Sequence, residues 1–108
     1  MSKWADYLIY AVHYADEPYR KYIAEVRTHK DLDDKIGRET YPFSKDDVIR
    51  YIESTDHRRT FCTIYEDDNS NWKQGKQVIV DTVGSEKYIK TERNGIKADN
   101  LGDLPTYD

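Results

Sequence analysis

The sequence predicts an α+β fold with a small antiparallel sheet, and three observations support this class. Most apolar residues lie in short runs rich in β-branched and aromatic types, which are typical of strands. Residues 45–54 instead space their apolar side chains along one face of a short helix. Turn-forming residues separate these runs, and the resulting order is ββαβββ, with about five strands and one helix packed on them. Periodicity does not decide whether the sheet stays open or curls into a partial barrel.

The first two strands are predicted at residues 7–14 and 22–29. Residues 7–14 form a nearly unbroken apolar and aromatic run, as expected for a central strand that is covered on both faces. Asp16-Glu17-Pro18 then predicts a turn. Residues 22–29 alternate between apolar and polar side chains, so this strand should have one buried and one solvated face.

Residues 30–43 are polar and are predicted to form the loop that leads into the helix, because Gly37 and Pro42 interrupt regular structure. Ser44 has the chemistry of an N-cap, and acidic residues follow it at the positive end of the helix dipole. A helix of about two or three turns is not stable alone. We therefore expect residues 45–54 to pack their apolar stripe against the sheet.

Three further strands are predicted after the helix, at residues 60–65, 76–83 and 87–91. Gly84-Ser85 provides the tight turn that joins the last two strands as a hairpin. Residues 96–107 have no regular period and are expected to form an ordered tail, with Leu101 and Leu104 packed against the rest of the chain.

Composition limits the class of protein. The 108 residues include 17 Lys and Arg, 21 Asp and Glu, and 13% aromatic residues. We expect a single domain over residues 1–108, because no linker or repeat divides the chain. One cysteine excludes an internal disulfide, and no stretch is long and apolar enough for a spanning helix. Residues 1–6 do not resemble the start of a signal peptide, so a cytoplasmic location without membrane contact is expected.

Motifs for catalysis are missing, so an enzyme is the minority interpretation, and neither a cofactor nor a metal is predicted. The five glycines form no phosphate-binding pattern, and the three histidines have no metal-ligand spacing. Cys62 lies in an apolar run, where a thiol is usually a small buried hydrophobe rather than a nucleophile. The carboxylates of residues 31–34 and 66–68 lie beside turns, where such groups stay ionised and solvated.

Nucleic-acid or nucleotide binding is one alternative function. The net charge is −4, and each half of the chain has two more acidic than basic side chains, which disfavours duplex DNA as a partner. A local basic strip is nevertheless present near the C-terminus. It consists of Lys87, Lys90, Arg93 and Lys97.

Tyrosine is unusually frequent, with ten copies. Its ring buries apolar area while its hydroxyl stays hydrated, so it suits both a half-exposed sheet face and a protein interface. Stacking of single-stranded bases would require several of these rings on one outer face. The candidates for such a face are Tyr10, Tyr14, Tyr22 and Tyr65. The simpler interpretation is that tyrosine fills the core of a small fold.

Several segments, in this order, match a known pattern. They are Trp4-Ala5-Asp6-Tyr7-Leu8-Ile9, Thr60-Phe61-Cys62-Thr63-Ile64-Tyr65, Trp72-Lys73-Gln74-Gly75, Lys87-Tyr88-Ile89-Lys90-Thr91 and Asp99-Asn100-Leu101-Gly102-Asp103-Leu104-Pro105. The chain thereby resembles a family of small bacterial proteins catalogued as domain of unknown function 3892, and the last segment is the most specific. The resemblance implies a stand-alone bacterial or phage-encoded protein and brings no established activity, cofactor or catalytic residue.

The same segments suggest where a binding site would lie. Most matched positions are apolar or turn-forming, as a fold requires, but several on the last strand and the tail are polar. We therefore expect a site between the second tryptophan, the last strand and the tail. Its candidate residues are Trp72, Tyr88, Lys90, Thr91, Asp99 and Asn100.

The sequence thus favours a non-catalytic interaction module that binds a protein or a small polar ligand through an aromatic sheet face and the tail. The alternatives are binding of nucleic acid or a nucleotide along the basic strip, and inhibition of a host defence enzyme. Exposed tyrosines and a free sheet edge would also permit a homodimer, without requiring one.

Overall fold

The computed structural model describes residues 4–15, 22–32, 35–93, 95–102 and 104–107. The turn predicted at residues 16–18 lies outside this part. Within it, the α+β class is confirmed. The elements are β1 (Tyr7–Tyr14), β2 (Ile23–Asp31), β3 (Ile36–Ser44), α1 (Lys45–Glu53), β4 (Phe61–Glu66), β5 (Trp72–Gln77), β6 (Ile79–Val83) and β7 (Glu86–Lys90).

Five strands form one sheet in the order β3-β2-β1-β4-β5, with β3 and β5 at its edges, so the sheet does not close into a barrel. β1 is central, as its apolar run predicted. It pairs antiparallel with β2 and parallel with β4, but the parallel pairing covers only residues 7–9 and 61–63. The sheet is therefore mixed. The parallel pair arises because β2, β3 and α1 form the long connection that parallel neighbours require.

Residues 36–44 form an edge strand, and the predicted loop over residues 30–43 is wrong for this part of the chain. β3 pairs with β2 through partners such as Val26 with Phe43 and Thr28 with Tyr41. An edge strand needs ladder hydrogen bonds on one side only, so it tolerates Pro42. Its side chains are half-buried or exposed, which explains why the segment has a polar composition.

The predicted strand at residues 76–83 is wrong in its extent, because the structure divides it between two sheets. Residues 72–77 belong to β5 and pair with β4, whereas residues 79–83 form β6 and pair with β7 in a separate two-stranded sheet. Val78 is buried between them and donates its N–H to the carbonyl of Phe61 at 2.8 Å. The β6–β7 hairpin turns at Gly84, with φ 67°, as predicted.

The helix begins where its cap predicted. The hydroxyl of Ser44 accepts a hydrogen bond from the N–H of Asp47 at 3.1 Å, and Val48 is buried on the packed face. No helix among the described residues is long and apolar enough to cross a membrane. The helix packs on the sheet face that bears the main core cluster, which consists of Ile9, Val12, Ile23, Val26, Val48, Phe61, Val78, Ile89 and Leu101.

The opposite face of the sheet bears a smaller cluster. Side chains alternate across a strand, so Leu8 and Cys62 point away from the side occupied by their neighbours Ile9 and Phe61. Aromatic side chains, rather than a helix, pack against this second cluster. The cluster is formed by Ala5, Leu8, Cys62 and Ile64, with Trp4, Tyr10, Ile36 and Trp72 packed on it.

The tail adds a short stretch of parallel pairing to β1. The N–H of Val12 donates to the carbonyl of Pro105 at 2.9 Å, and the N–H of Tyr107 donates to the carbonyl of Val12 at 3.0 Å. Leu101 is buried in the main core, and Leu104 packs against it, as predicted. Since β4 pairs with β1 only as far as residue 9, the tail lies beside β1 where β4 has diverged from it.

Candidate functional site

Two clefts lie side by side along the tail and form what we call the tail groove. The first has a volume of about 290 Å³, and its lining includes Thr63, Ile64, Tyr65, Thr91, Leu101 and Leu104. The second has a volume of about 320 Å³ and is lined by Tyr10, Ile64, Tyr65, Glu66, Trp72 and Pro105. Ile64 and Tyr65 belong to both clefts. The groove therefore has β4 on one side and the tail on the other.

The floor of the first cleft depends on a close approach of β5 to β4. A Cβ atom at Gly75 would lie 2.2 Å from the Oγ1 atom and 2.7 Å from the carbonyl oxygen of Thr63, so only glycine fits there. The Thr63 hydroxyl accepts a hydrogen bond from the N–H of Lys76 at 3.0 Å. The register of the two strands shifts between Cys62 and Ile64. β4 is thus held to β5 while it separates from β1.

Tyr65 lies between the two clefts and is 53% exposed. Within the described part of the chain, its side chain makes no hydrogen bond and no contact with another ring. Tyrosine is enriched in protein interfaces because a rigid ring supplies a large contact area at a low entropic cost. An exposed ring between two cavities is therefore a suitable anchor for a bound partner.

Three packed rings form the end of the groove near Trp72. Tyr10 and His29 stack with their ring centroids 4.6 Å apart, and Trp72 lies 6.2 Å from Tyr10 and 5.9 Å from His29. His29 Nδ1 is also 3.2 Å from the carbonyl oxygen of Glu39. These contacts fix the orientation of the rings, so the aromatic wall of the second cleft is formed before any ligand binds.

Asp99 fixes the start of the tail. Its Oδ1 atom accepts a hydrogen bond from the N–H of Ile89 at 2.8 Å, and its Oδ2 atom accepts one from the N–H of Ile23 at 2.7 Å. Lys45 Nζ lies 3.0 Å from the same Oδ2 atom. One buried carboxylate therefore connects β7, β2 and α1.

Lys90 is buried beside the tail and is 0% exposed. Its Nζ atom donates to Asp81 Oδ2 at 2.7 Å and to the carbonyl of Ile96 at 2.6 Å, and it lies 5.5 Å from the centre of the Tyr88 ring. A buried charge needs such partners because its removal from water is costly. We call Asp81, Lys90 and Asp99 the polar anchor.

Some of the residues predicted as a binding site line the tail groove, and others are buried beneath or bound beside the tail. Trp72 and Thr91 line opposite ends of the tail groove. Tyr88, Lys90 and Asp99 are buried, so these side chains support the tail and do not form an exposed surface. Asn100 is exposed, but its backbone is bound to β7, with its N–H donating to the carbonyl of Ile89 at 3.0 Å.

The predicted basic strip is largely occupied by ion pairs. Lys90 is buried in the polar anchor, and Lys87 Nζ lies 2.6 Å from Glu53 Oε1. Arg93 lies 3.8 Å from a carboxylate oxygen of the polar anchor, whereas Lys97 is exposed. Because paired cations contribute less positive potential, the strip offers weaker support for phosphate contacts than its sequence suggested.

The four tyrosines considered for base stacking do not share one face. Tyr10 and Tyr65 line the tail groove. Tyr14 packs against the main core, and Tyr22 stacks on Tyr88 with 6.2 Å between the ring centroids. The rings therefore do not form a single platform for successive bases.

Tyr107 holds the end of the tail, although no periodicity in the sequence points to it. Its hydroxyl donates to Glu25 Oε1 at 2.7 Å, the Arg27 guanidinium lies 4.3 Å from its ring centre, and its carbonyl oxygen is 2.7 Å from His13 Nδ1. Desolvation and the hydrogen bond to Glu25 raise the pKa of Tyr107. The alternation of residues 22–29 predicted a solvated face on this strand, but nothing in the sequence links that face to the tail.

Nucleophilic chemistry has little support at Cys62. The thiol is buried, and desolvation raises its pKa to about 11, so it remains protonated at neutral pH. Among the residues that the structure describes, no group of three or more His, Cys, Asp or Glu side chains is placed to hold a metal ion.

Comparison with known proteins gives one match. The model of a family described as "Protein of unknown function (DUF3892)" matches residues 9–105. No curated protein and no solved structure matches the chain. The matched range extends from β1 to Pro105, so it includes the residues of both clefts of the tail groove and the polar anchor.

Proposed function

The chain belongs to the DUF3892 family of proteins of unknown function, and we propose that it is a non-catalytic binding module that holds a partner protein in the tail groove. The proposal rests on Tyr65, whose exposed ring lies between two clefts. A partner side chain that enters either cleft would remove this ring from water, which is the main favourable term in protein association.

The dimensions of the groove favour an extended protein segment over a single compact ligand. Each cleft is near the small end of the usual range for ligand pockets, about 300–1,000 Å³. Adjacent small pockets along a strand suit the side chains of an extended segment, which gain specificity from separate pockets. The tail forms one wall of both pockets, because Leu104 lines the first cleft and Pro105 the second.

Charged residues of opposite sign at the rim of the groove would set the orientation of a bound segment. Lys76 lines the first cleft and Glu66 the second, and both side chains are exposed. We therefore expect a partner segment with apolar side chains for the clefts, an acidic residue near Lys76 and a basic residue near Glu66. Rim charges of this kind set orientation and association rate more than affinity.

The sequence also suggested two alternatives, which are binding of nucleic acid or a nucleotide and inhibition of a host defence enzyme. Nucleic-acid binding has weaker support, because Lys87, Lys90 and Arg93 are engaged with carboxylates. Inhibition of a host defence enzyme would be compatible with the same groove, since it concerns the identity of the partner rather than the surface that binds it.

Photo-crosslinking tests the proposal directly. Tyr65 is replaced by a photo-crosslinking phenylalanine derivative, and the tagged chain is illuminated in nuclease-treated bacterial lysate. We expect one predominant crosslinked protein, whose affinity is then measured for the purified pair. Tyr65→Ala should weaken binding by about thirtyfold, as for a central interface residue, whereas Tyr65→Phe should retain it because the ring area is preserved.

A surface variant distinguishes binding in the tail groove from nonspecific adhesion to exposed apolar residues. Leu32 directly follows β2, is 43% exposed and does not line the tail groove, so Leu32→Ala should leave the affinity unchanged. The proposal fails if Tyr65→Ala binds the partner as tightly as the native chain, or if Leu32→Ala weakens binding equally. A crosslink that forms in untreated lysate and is lost after nuclease treatment would instead favour the nucleic-acid hypothesis.

A further inference from the structure

Another cleft, separate from the tail groove, lies at the C-terminal end of α1. Its volume is about 400 Å³, and it is lined by Arg50, Tyr51, Ser54, His57 and Arg59. This lining contains two guanidinium groups, an imidazole and two hydroxyl groups, and it contains no carboxylate. Guanidinium and hydroxyl groups are donors that match the oxygens of a phosphate group.

The two guanidinium groups of this cleft are exposed, and one of them has no carboxylate partner among the described residues. Arg59 donates through Nη1 to the carbonyl of Arg58 at 3.1 Å, and among the described residues its guanidinium has no carboxylate within ion-pair distance. Arg50 does pair with Asp47 at 2.7 Å, but its side chain is 70% exposed. Several other cations lie beside carboxylates, as in the pairs Lys45–Asp99, Lys73–Asp67, Lys87–Glu53 and Lys90–Asp81.

Apart from Asp47, the acidic residues close in sequence do not pair with the cations of the cleft. Glu53 is engaged with Lys87 at 2.6 Å, and Asp56 is exposed and does not line the cleft. The whole chain has a net charge of −4. Two exposed guanidinium groups therefore line a cleft that has no carboxylate in its lining, within a chain of net negative charge.

The fold holds the cleft in shape. The N–H of Arg59 donates to the carbonyl of Tyr51 at 3.0 Å, and the N–H of His57 donates to the hydroxyl oxygen of Ser54 at 2.9 Å. The Tyr51 ring packs edge-to-face on Phe43, with 5.9 Å between centroids. The helix end and the turn that follows are thus fixed relative to each other, while the hydroxyl proton of Ser54 remains free to donate.

We propose that this cleft binds the phosphate group of a small anionic ligand. Arg59 and Arg50 would donate to the phosphate oxygens in the paired geometry that a guanidinium allows, and Ser54 would donate a third hydrogen bond. The volume of the cleft exceeds that of a phosphate ion and lies in the range of small-molecule sites. A mononucleotide could therefore also bind there through its phosphate. This site is independent of the tail groove.

A structural role for the same cations makes a different prediction. Cations near a helix C-terminus interact favourably with the helix dipole. If this were the only role of these cations, their substitution would lower the stability of the chain, and the native chain would not bind phosphate. The test therefore measures both stability and binding. Arg59→Gln removes the charge while keeping a long polar side chain. Arg38→Gln is the matched control, because Arg38 is exposed and lines a cleft that also contains Glu39.

The experiment is a titration at low salt with inorganic phosphate, adenosine monophosphate and adenosine, followed by calorimetry and by amide chemical shifts. We expect saturable binding of both phosphate compounds, none of adenosine, and shift changes concentrated in residues 50–59. Arg59→Gln should weaken binding by about tenfold, the usual scale for one charge-assisted contact, and Arg38→Gln should not weaken it. Tighter binding of the mononucleotide than of phosphate would identify a nucleotide as the source, and equal binding would identify phosphate itself.

Three results would overturn the proposal. They are the absence of saturable phosphate binding by the folded native chain, equal weakening by the two substitutions, and an Arg59→Gln variant that loses stability but binds phosphate normally. Circular dichroism and thermal unfolding of each variant establish that binding is compared between folded proteins.

Discussion

The polar anchor and the tail groove are both built on the C-terminal part of the chain, but they use their side chains in opposite ways. In the polar anchor, charged groups are buried, and their polar atoms have partners within the fold. In the tail groove, a large apolar ring is left exposed beside empty space. The difference indicates that the charged residues of the polar anchor hold the fold together, and the exposed ring of Tyr65 is left available for the proposed recognition of a partner.

The physical basis of this difference is the cost of burial. A carboxylate or an ammonium group removed from water must recover its lost hydration through nearby donors or acceptors. Asp99 does so with two backbone N–H groups and Lys45. Because the carboxylate is buried among these partners, it is not accessible to a ligand. Three substitutions would break or sharpen the comparison, and they are taken from the largest expected effect on stability to the smallest.

Lys90→Met is expected to have the largest effect. It leaves Asp81 buried without its closest cation, and loss of one partner of a buried ion pair costs about 3–5 kcal/mol. Urea unfolding of the variant and of the native chain measures the change. Lys87→Met is the control, because the exposed pair between Lys87 and Glu53 should contribute only about 0–1 kcal/mol. Equal effects of the two substitutions would show that burial does not distinguish these pairs.

Asp99→Asn is expected to have an intermediate effect of about 2 kcal/mol, because hydrogen bonds to a charged group contribute about 1.5–3 kcal/mol. The amide keeps one acceptor oxygen, whereas the carboxylate accepts through both. Hydrogen exchange should therefore accelerate at the N–H of Ile23 or of Ile89, the two donors to Asp99. Asp47→Asn, in an exposed pair with Arg50, should change neither rate. Unchanged exchange at both amides in Asp99→Asn would contradict the assigned role of Asp99.

Elements specified by local sequence were predicted well. Ser44 and the apolar stripe after it predicted the start of α1, and the apolar run at residues 7–14 predicted the central strand. β3 was missed because the polar residues of an edge strand resemble a loop. The division of residues 76–83 between two sheets depends on pairing with distant strands, which periodicity does not specify.

The residues of the candidate site were predicted only in part, because their positions also depend on pairing between distant parts of the chain. Trp72 and Thr91 were both predicted and both line the tail groove. Tyr65 was visible in the sequence as one of ten tyrosines. Its position between two clefts depends on the separation of β4 from β1 beyond residue 63 and on the pairing of the tail with Val12. Neither relation is local in sequence.

Tyr65→Ala is expected to have the smallest effect on stability, less than about 0.5 kcal/mol, as for exposed side chains without hydrogen bonds. The same urea titration measures it. Trp72→Ala is the comparison, because its ring packs on Tyr10 and His29 and its loss should cost more. A small change in stability together with a large loss of binding would show that the ring serves a partner. If Tyr65→Ala destabilised the chain as much as Asp99→Asn, the ring would be part of the packed structure, and the contrast between the two regions would disappear.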